Sequence, residues 1–287
     1  MSAPLLMLLA SLLFAVMGVC VKFASTHYSA GEIVFYRSAV GALFIFGFAR
    51  WRGVSLATRV PAMHLWRSAS GVLALTLWFH AIAGLPIATA MTLNYMSSVW
   101  MALFLIGGGV LVGTARVDGR LVAAVLAGFA GVALVLRPTL DAPQLGAGLA
   151  GLLSGVLAAL AYLQVTALGR AGEPEERIVF YFSIGGLVVG ALWMGVQGAS
   201  AHTPRSAALL VAIGLLATTA QVMMTRAYRI GRTLVNACLQ YLGIVFSFAF
   251  GVLIFRDPVT AQALAGMALI VAAGIGATLL RERVQPD

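Results

Sequence analysis

Long apolar segments run along the whole chain, separated by short connections that hold most of the charges. Each segment approaches the roughly 20 apolar residues that a helix needs to cross the core of a bilayer. All nine prolines lie at or between segment ends, where a missing backbone N–H is tolerated. The segments are too continuous for the alternating strands of an outer-membrane barrel. The pattern therefore predicts an all-α membrane protein with ten transmembrane helices, at about 4–24, 32–49, 67–85, 88–112, 120–136, 145–168, 178–197, 207–225, 233–255 and 259–280.

The composition excludes a water-soluble domain. Of the 287 residues, 61% are hydrophobic and only 9% are charged, whereas a soluble domain carries about 25% charged residues. The first segment lacks a basic n-region, and its apolar stretch is longer than the roughly 7–15 residues of a signal peptide. We therefore expect it to be retained as a helix.

The basic residues predict the orientation of the chain, because Lys and Arg concentrate on the cytoplasmic side of a membrane. With the N-terminus inside, the cytoplasmic connections hold 13 of the 18 basic residues, and Arg67 is counted among them. Both termini are thus predicted to be cytoplasmic. The positive charge is spread over short loops and not gathered into a patch, so the expected partner is the lipid bilayer and not nucleic acid.

Two stretches of sequence recur at nearly the same spacing. The letters IVFY occupy Ile33–Tyr36 and again Ile178–Tyr181, 145 residues later. At an offset of 146, Thr92–Phe104 is similar to Cys238–Phe250. Two matches on equivalent helices indicate that the chain contains two copies of one unit.

The duplication predicts two repeats, 1–140 and 141–287, of five helices each. Because five is an odd number, the second copy enters the membrane inverted relative to the first. Inverted repeats are typical of transporters that expose a site near the midplane to either side in turn.

These features resemble the drug/metabolite transporter superfamily and its EamA-type repeat. The resemblance covers essentially the whole chain: five plus five helices, "FYRSAVGAL" at the start of the second helix, and glycine- and arginine-containing final helices in each half ("AGFAGVALVLRP" and "AAGIGATLLRER"). It implies export of amino acids and related metabolites across a bacterial inner membrane. The aromatic-rich middle is similar to YddG-type aromatic amino-acid exporters. Where the family often has Gly-Glu after the fourth and ninth helices, this chain has "GTARVD" and "FRDPV", which leaves the subfamily open.

Polar groups inside a membrane are costly and usually face a cavity or a partner helix. On the first helix, Ser11, Gly18 and Lys22 share one face. That face is either a cavity wall ending in an ammonium group or a close helix contact with Lys22 snorkelling to the interface. Amides, hydroxyls and rings elsewhere suit an apolar ligand with a polar end. The other residues predicted to line a substrate cavity are Trp78, His80, Asn94, Tyr95, Ser98, Trp100, Tyr162, Gln164, Gln221, Gln240 and Tyr241.

Arg37 lies inside the second predicted helix, five residues beyond Glu32. We interpret Glu32 and Arg37 as a structural ion pair or a gate. The other interpretation of Arg37 is an anchor for a substrate carboxylate.

The groups that would energise transport or perform chemistry are scarce. The sequence places no Asp or Glu deep within a predicted helix, so we expect facilitated transport, or proton coupling through another group with His80 as the leading candidate. A packed or interfacial role is the other reading of His80. The chain lacks a Gly-Lys-Ser/Thr phosphate loop, a catalytic dyad and a metal-ligand cluster, so an enzyme, a cofactor and a metal are not expected.

The resulting prediction is an exporter of a small-molecule substrate, most specifically an aromatic amino acid or a related amphipathic metabolite, working by alternating access. A transporter of nucleotide sugars or other phosphorylated solutes would want several cavity cations, and the sequence offers only Lys22 and Arg37. Drug efflux and a non-transporting membrane scaffold are the remaining alternatives.

Overall fold

The computed structural model describes residues 1–111, 142–231 and 239–284, with isolated positions at 123, 126–128, 130, 131, 134 and 236. Most of the fifth predicted helix, the predicted boundary near residue 140, and Cys238 lie outside these positions. The described elements are the helices α1 (Ala3–Ala24), α2 (Ala30–Trp51), α3 (Pro61–Gly84), α4 (Ile87–Tyr95), α5 (Ser97–Leu111), α6 (Ala142–Arg170), α7 (Glu175–Gln197), α8 (Pro204–Ile230), α9 (Leu242–Phe250), a π-helical turn (Gly251–Phe255) and α10 (Ala261–Val284).

Five of these helices are long and apolar enough to cross a membrane by length and composition. They confirm a helical, multi-pass membrane protein. The five spans are Ala3–Ala24, Ala30–Trp51, Gln144–Arg170, Glu175–Val196 and Pro204–Ile230.

Helix starts follow local chemistry. Pro61 and Pro204 are the first residues of α3 and α8, where a proline loses no intrahelical hydrogen bond. At the start of α2, the Ser29 hydroxyl accepts a hydrogen bond from the Glu32 N–H, and the Glu32 carboxylate accepts one from the Ser29 N–H. This capping box satisfies two backbone donors that the helix itself leaves unpaired.

Replacing Ser29 with alanine should lower the free energy of unfolding by about 1 kcal/mol, because one of these donors loses its partner. Thermal unfolding of the purified protein in detergent measures the effect. Thr26→Ala is the control, since Thr26 is exposed and only bonds back to the Phe23 carbonyl. Equal shifts for both variants would contradict a role for the cap.

The structure corrects three predicted helices. The fourth is not continuous over 88–112: a turn at Met96 divides it into α4 and α5. The ninth is interrupted by a turn at Tyr241 and ends in the π-helical turn before Arg256, whose φ is 54°. The third begins at Pro61 and not at residue 67, so Arg67 lies inside α3 and not in a connecting loop.

Helix packing brings distant parts of the chain together. α1 packs along α8, and α3 packs along α6. α2 packs along α7, so the two copies of IVFY lie on neighbouring helices; α2 also contacts α8, and α7 also contacts α3. The shorter α4 contacts both α6 and α9.

Glycines permit the closest of these approaches. A side chain at Gly190 of α7 would lie 2.7 Å from the backbone N and Cα of Phe35 on α2. A side chain at Gly243 of α9 would lie 2.6 Å from the Tyr95 ring of α4. Small residues at such crossings let helices approach closely in membranes.

Candidate functional site

A small cavity, called the central cavity below, lies where seven helices meet. Its volume is about 50 Å³, far below the roughly 300–1,000 Å³ of typical ligand pockets. This conformation is therefore too closed to hold a substrate the size of an amino acid. The lining residues are Phe14 on α1; Arg37 on α2; Arg67, Gly71, Ala74, Leu75 and Trp78 on α3; Asn94 and Tyr95 on α4; Ala158, Ala161 and Tyr162 on α6; Phe182 on α7; and Gln221 on α8.

Two buried arginines face this cavity. Arg37 is 3% exposed and Arg67 is 2% exposed. Their guanidinium carbons lie 5.1 Å and 4.3 Å from the centre of the same Phe182 ring, a distance at which a cation is attracted to an aromatic face. Within the described residues, neither arginine lies within 4.0 Å of a carboxylate oxygen.

Gly71 makes room for one of these guanidinium groups. A side chain at Gly71 would overlap the Nη1 atom of Arg67, one turn earlier on α3. The long side chain of Arg67 thus follows its own helix into the cavity.

Helix α4, which ends at the break before Met96, supplies two polar side chains to the cavity. The Asn94 amide donates a hydrogen bond to the Ser154 hydroxyl of α6 over 3.0 Å. A side chain at Gly155 would lie 2.6 Å from the Leu93 carbonyl oxygen, so only glycine lets α6 approach the end of α4 this closely. The break at Met96 places Asn94 and Tyr95 at the cavity wall.

Several donors at the cavity are buried without a hydrogen-bond partner in the described part of the chain. They include the indole N–H of Trp78, the side-chain nitrogen of Gln221 and the Nε atoms of both arginines. Buried donors are normally paired, so a ligand or water is expected to complete them.

Five of the residues predicted to line a cavity therefore meet at one place: Trp78, Asn94, Tyr95, Tyr162 and Gln221. The residues predicted on α1 do not line it. Ser11 donates to the Leu239 carbonyl over 3.5 Å, Gly18 packs against the Met91 side chain, and Lys22 donates to the Leu85 carbonyl.

The other predicted residues also lie outside the lining. His80 is exposed on α3, and the Gln164 amide oxygen accepts from Ser70 over 3.3 Å. Gln240 donates to the Met224 sulfur over 3.5 Å. Ser98 and Tyr241 are buried, and Trp100 is half-buried with its ring 6.5 Å from the ring of Phe104.

Glu32 and Arg37 have different neighbours in the structure. The Glu32 carboxylate accepts hydrogen bonds from the Ser200 N–H over 2.6 Å and from the Ser200 hydroxyl over 3.0 Å. Arg37 instead lies at the cavity beside Phe182. A gating role for either residue stays a prediction.

Arg67 and Phe182 are not among the cavity residues that the sequence predicts. The apolar run begins at Arg67 and places it at a connection, yet Pro61 is a signal for an earlier helix start. The repeat held the signal for Phe182, since Phe182 follows Arg37 by the same 145 residues that separate the IVFY copies.

An acidic cluster lies at the start of α7, at one end of the bundle. The buried Glu173 carboxylate accepts from Arg177 over 2.9 Å and lies 2.9 Å from the His64 ring. Burial raises the pKa of Glu173, but the hydrogen bonds and charges of His64 and Arg177 outweigh burial and hold this pKa below its ordinary value. The neighbouring glutamates form ion pairs with arginines: Glu175 with Arg229 over 2.9 Å and Glu176 with Arg52 over 2.5 Å.

A second network lies at the opposite end of α7. The His202 ring bridges the hydroxyls of Tyr28 and Tyr36, each at 2.7 Å. The same loop holds Ser200 against Glu32, as described above. Loops at both ends of α7 are thus tied to α2, to α3 or to the connection between α1 and α2.

The fold and the cavity define a class: a multi-pass helical membrane protein with a polar and aromatic site enclosed between helices, as in membrane transporters. The family model of the EamA-like transporter family matches residues 1–137. The chain is 35% identical over 274 residues to the pseudopaline exporter CntI of Pseudomonas aeruginosa, covering 96% of this chain and 95% of that protein. This chain belongs to the EamA-like transporter family of the drug/metabolite transporter superfamily. It is a transporter and not an enzyme.

The chain is also similar to two further proteins. The chain is 28% identical over 229 residues to a riboflavin transporter of Rhizobium johnstonii, covering 77% of this chain and 72% of that protein. A solved structure described only as a protein superposes with a TM-score of 0.72 at 19% identity, covering 99% of both chains. At that identity the likeness supports the fold alone.

Proposed function

We propose that this protein exports amino acids, most specifically aromatic amino acids and related amphipathic metabolites, across a bacterial inner membrane. The central cavity is the observation that carries the proposal. Its wall combines the rings of Trp78, Tyr95 and Phe182 with buried polar groups that lack partners in the described part of the chain. Rings suit an aromatic side chain, and the unpaired donors suit the carboxylate of an amino acid.

We further propose that the chain is built of two inverted five-helix units, 1–140 and 141–287. The helix contacts support this proposal because they pair up when the units are exchanged. The packing of α1 on α8 corresponds to that of α6 on α3, and the contact of α2 with α8 corresponds to that of α7 with α3. Exchanging the units puts α2 in the place of α7 and α4 in the place of α9. The contact of α2 with α7 and that of α4 with α9 are therefore unchanged by the exchange.

The two networks at the ends of α7 support alternating access. Glu173 is joined to His64 at one end, and His202 is joined to Tyr28 and Tyr36 at the other. Each network links the proposed units, so opening one of them would expose the cavity to one side only. The inner face is proposed to be the one with the acidic cluster, since most basic residues of the chain lie in the connections on that side.

The test is uptake of labelled tryptophan or phenylalanine into liposomes that contain the purified, folded protein. We expect uptake without a pH gradient, competed by other aromatic amino acids and absent from protein-free liposomes. Uptake that strictly requires a pH gradient would contradict facilitated transport. If the His80→Gln variant then no longer required the gradient, His80 would be the coupling group. Absence of uptake under both conditions would overturn the aromatic amino-acid proposal.

Replacing Trp78 with alanine should lower the uptake rate about tenfold, because the substrate loses a ring contact worth about 1.4 kcal/mol. Trp66→Ala is a matched control on the same helix. Trp66 is 69% exposed, whereas Trp78 is 6% exposed and lines the cavity. Equal uptake by the two variants would remove Trp78 from the substrate path.

A further inference from the structure

We propose that Arg37 and Arg67 form one anion-binding subsite that takes the two carboxylates of an organic diacid. The inference rests on the proposed function, because it takes the central cavity to be the substrate site. Among the related amphipathic metabolites of that proposal, it singles out organic diacids with an apolar or aromatic body as the solutes that this subsite binds most tightly.

The first step is the charge balance of the cavity. Two guanidinium groups are buried here, and neither has an ion-pair partner among the described residues. A buried charge is costly unless it is paired and hydrogen-bonded. Three described acids, Glu173, Glu175 and Glu176, form ion pairs at the start of α7. Glu32 accepts hydrogen bonds from Ser200. An anionic ligand with two charges would neutralise the pair.

The second step is geometry. Both guanidinium groups lie against the same Phe182 ring, at 5.1 Å and 4.3 Å from its centre, and both line the same cavity. Contact with the face of the ring uses none of the N–H donors of either group. The Nε atoms of both residues and the Nη1 atom of Arg67 are buried without a partner. The planar fork of arginine matches a carboxylate through two parallel hydrogen bonds.

The third step is the remainder of the wall. Trp78 and Phe14 supply apolar surface, and Asn94 and Gln221 supply amides on the other elements of the cavity. Once the cavity widens, a diacid with a hydrocarbon or aromatic body would bury that body against these side chains while its carboxylates meet the arginines. A monocarboxylate would leave one of the two charges unpaired.

The experiment measures binding of four aromatic probes to the full-length protein in lipid nanodiscs, by isothermal titration calorimetry. Phthalate has two adjacent carboxylates, benzoate has one, benzamide has none, and phenyl phosphate has a phosphoryl group in their place. We expect phthalate to bind at least tenfold more tightly than benzoate, and benzamide to show no binding. Equal affinity for phthalate and benzoate would overturn the diacid class, and tighter binding of phenyl phosphate than of phthalate would contradict a carboxylate ligand.

Two variants test the residues. Arg37→Gln and Arg67→Gln should each weaken phthalate binding about 10- to 100-fold, since each removes hydrogen bonds to a charged group. Arg50→Gln is the control: Arg50 is exposed and lies over the ring of Phe46, away from the cavity. Retained phthalate affinity in either cavity variant would overturn the subsite.

Thermal unfolding without a ligand separates binding from folding. Because each cavity variant removes an unpaired buried charge, its melting temperature should equal or exceed that of the wild type, while the increase caused by phthalate is lost. A lower melting temperature together with an unchanged phthalate-induced increase would assign the arginines a structural role. Tryptophan uptake without phthalate binding would reject only the subsite, and phthalate binding without tryptophan uptake would reject only the aromatic amino-acid proposal.

Discussion

Replacing Glu173 with alanine is expected to lower the free energy of unfolding by about 3–5 kcal/mol, the usual cost of breaking a buried ion pair by removing one partner. The His64 side chain is 2% exposed and that of Arg177 is 17% exposed, so both would be left with little water to replace the carboxylate. Thermal unfolding of the purified protein in detergent, at neutral pH, measures the loss.

Glu176→Ala is the matched control. It removes a carboxylate that is at least as buried, but its partner Arg52 has a side chain that is 43% exposed and can be hydrated. The expected loss is therefore smaller, about 1 kcal/mol or less. If the free energy of unfolding falls equally in the two variants, the exposure of the arginine or histidine partner does not determine the loss of stability.

The same carboxylate should make stability depend on pH. The pKa of Glu173 is held below its ordinary value of 4.5, so its ionised form is favoured in the folded protein. Its contribution is present above about pH 4.5 and is lost as the pH falls through the lowered pKa. Melting temperatures measured between neutral pH and about pH 3 should fall more steeply for the wild type than for Glu173→Gln. Parallel curves would contradict this account.

The second large effect is expected at the crossing of α2 and α7. Gly190→Ala should lower the free energy of unfolding by about 1–3 kcal/mol, because the new methyl group meets backbone atoms of Phe35 that cannot rotate away. The variant separates the two helices that carry Arg37 and Phe182, so it should also slow transport. Melting temperature and uptake rate are measured on the same preparation.

Gly195→Ala provides the control on the same helix. A side chain at Gly195 would have no atom within 4 Å, so the substitution should be neutral or stabilising by up to about 1 kcal/mol through helix propensity. A stability loss at Gly195 equal to that at Gly190 would indicate a general effect of glycine replacement in α7 and not a steric one.

Much of the helical pattern could be predicted because each helix depends mainly on the residues of its own segment. Segments 4–24 and 178–197 match α1 and α7 to within a few residues, since a run of apolar residues bounded by prolines fixes where a helix lies. The breaks at Met96 and Tyr241 could not be predicted this way. Neither position is a proline or a glycine, so the apolar run continues through both of them.

The candidate site could likewise be predicted only in part from the sequence. Polar and aromatic side chains within apolar runs marked Trp78, Asn94 and Tyr95 as cavity candidates, and the structure brings them to one place. Lys22 is also a polar residue within an apolar run, but its ammonium group donates to the Leu85 carbonyl and does not face the cavity. The rotation of each helix about its axis decides such outcomes, and no single segment contains that information.

By itself, the sequence determined that this protein is a helical membrane protein, because the length and composition of apolar runs are properties of single segments. Its recurring stretches and its resemblance to EamA-type repeats pointed to the family that the comparisons then established. Only the tertiary structure placed Arg37 and Arg67 on one aromatic ring and left them without acidic partners among the described residues. The reason is physical: a charge within an apolar run can turn to lipid headgroups, to a partner or to a cavity, and packing between helices chooses among them.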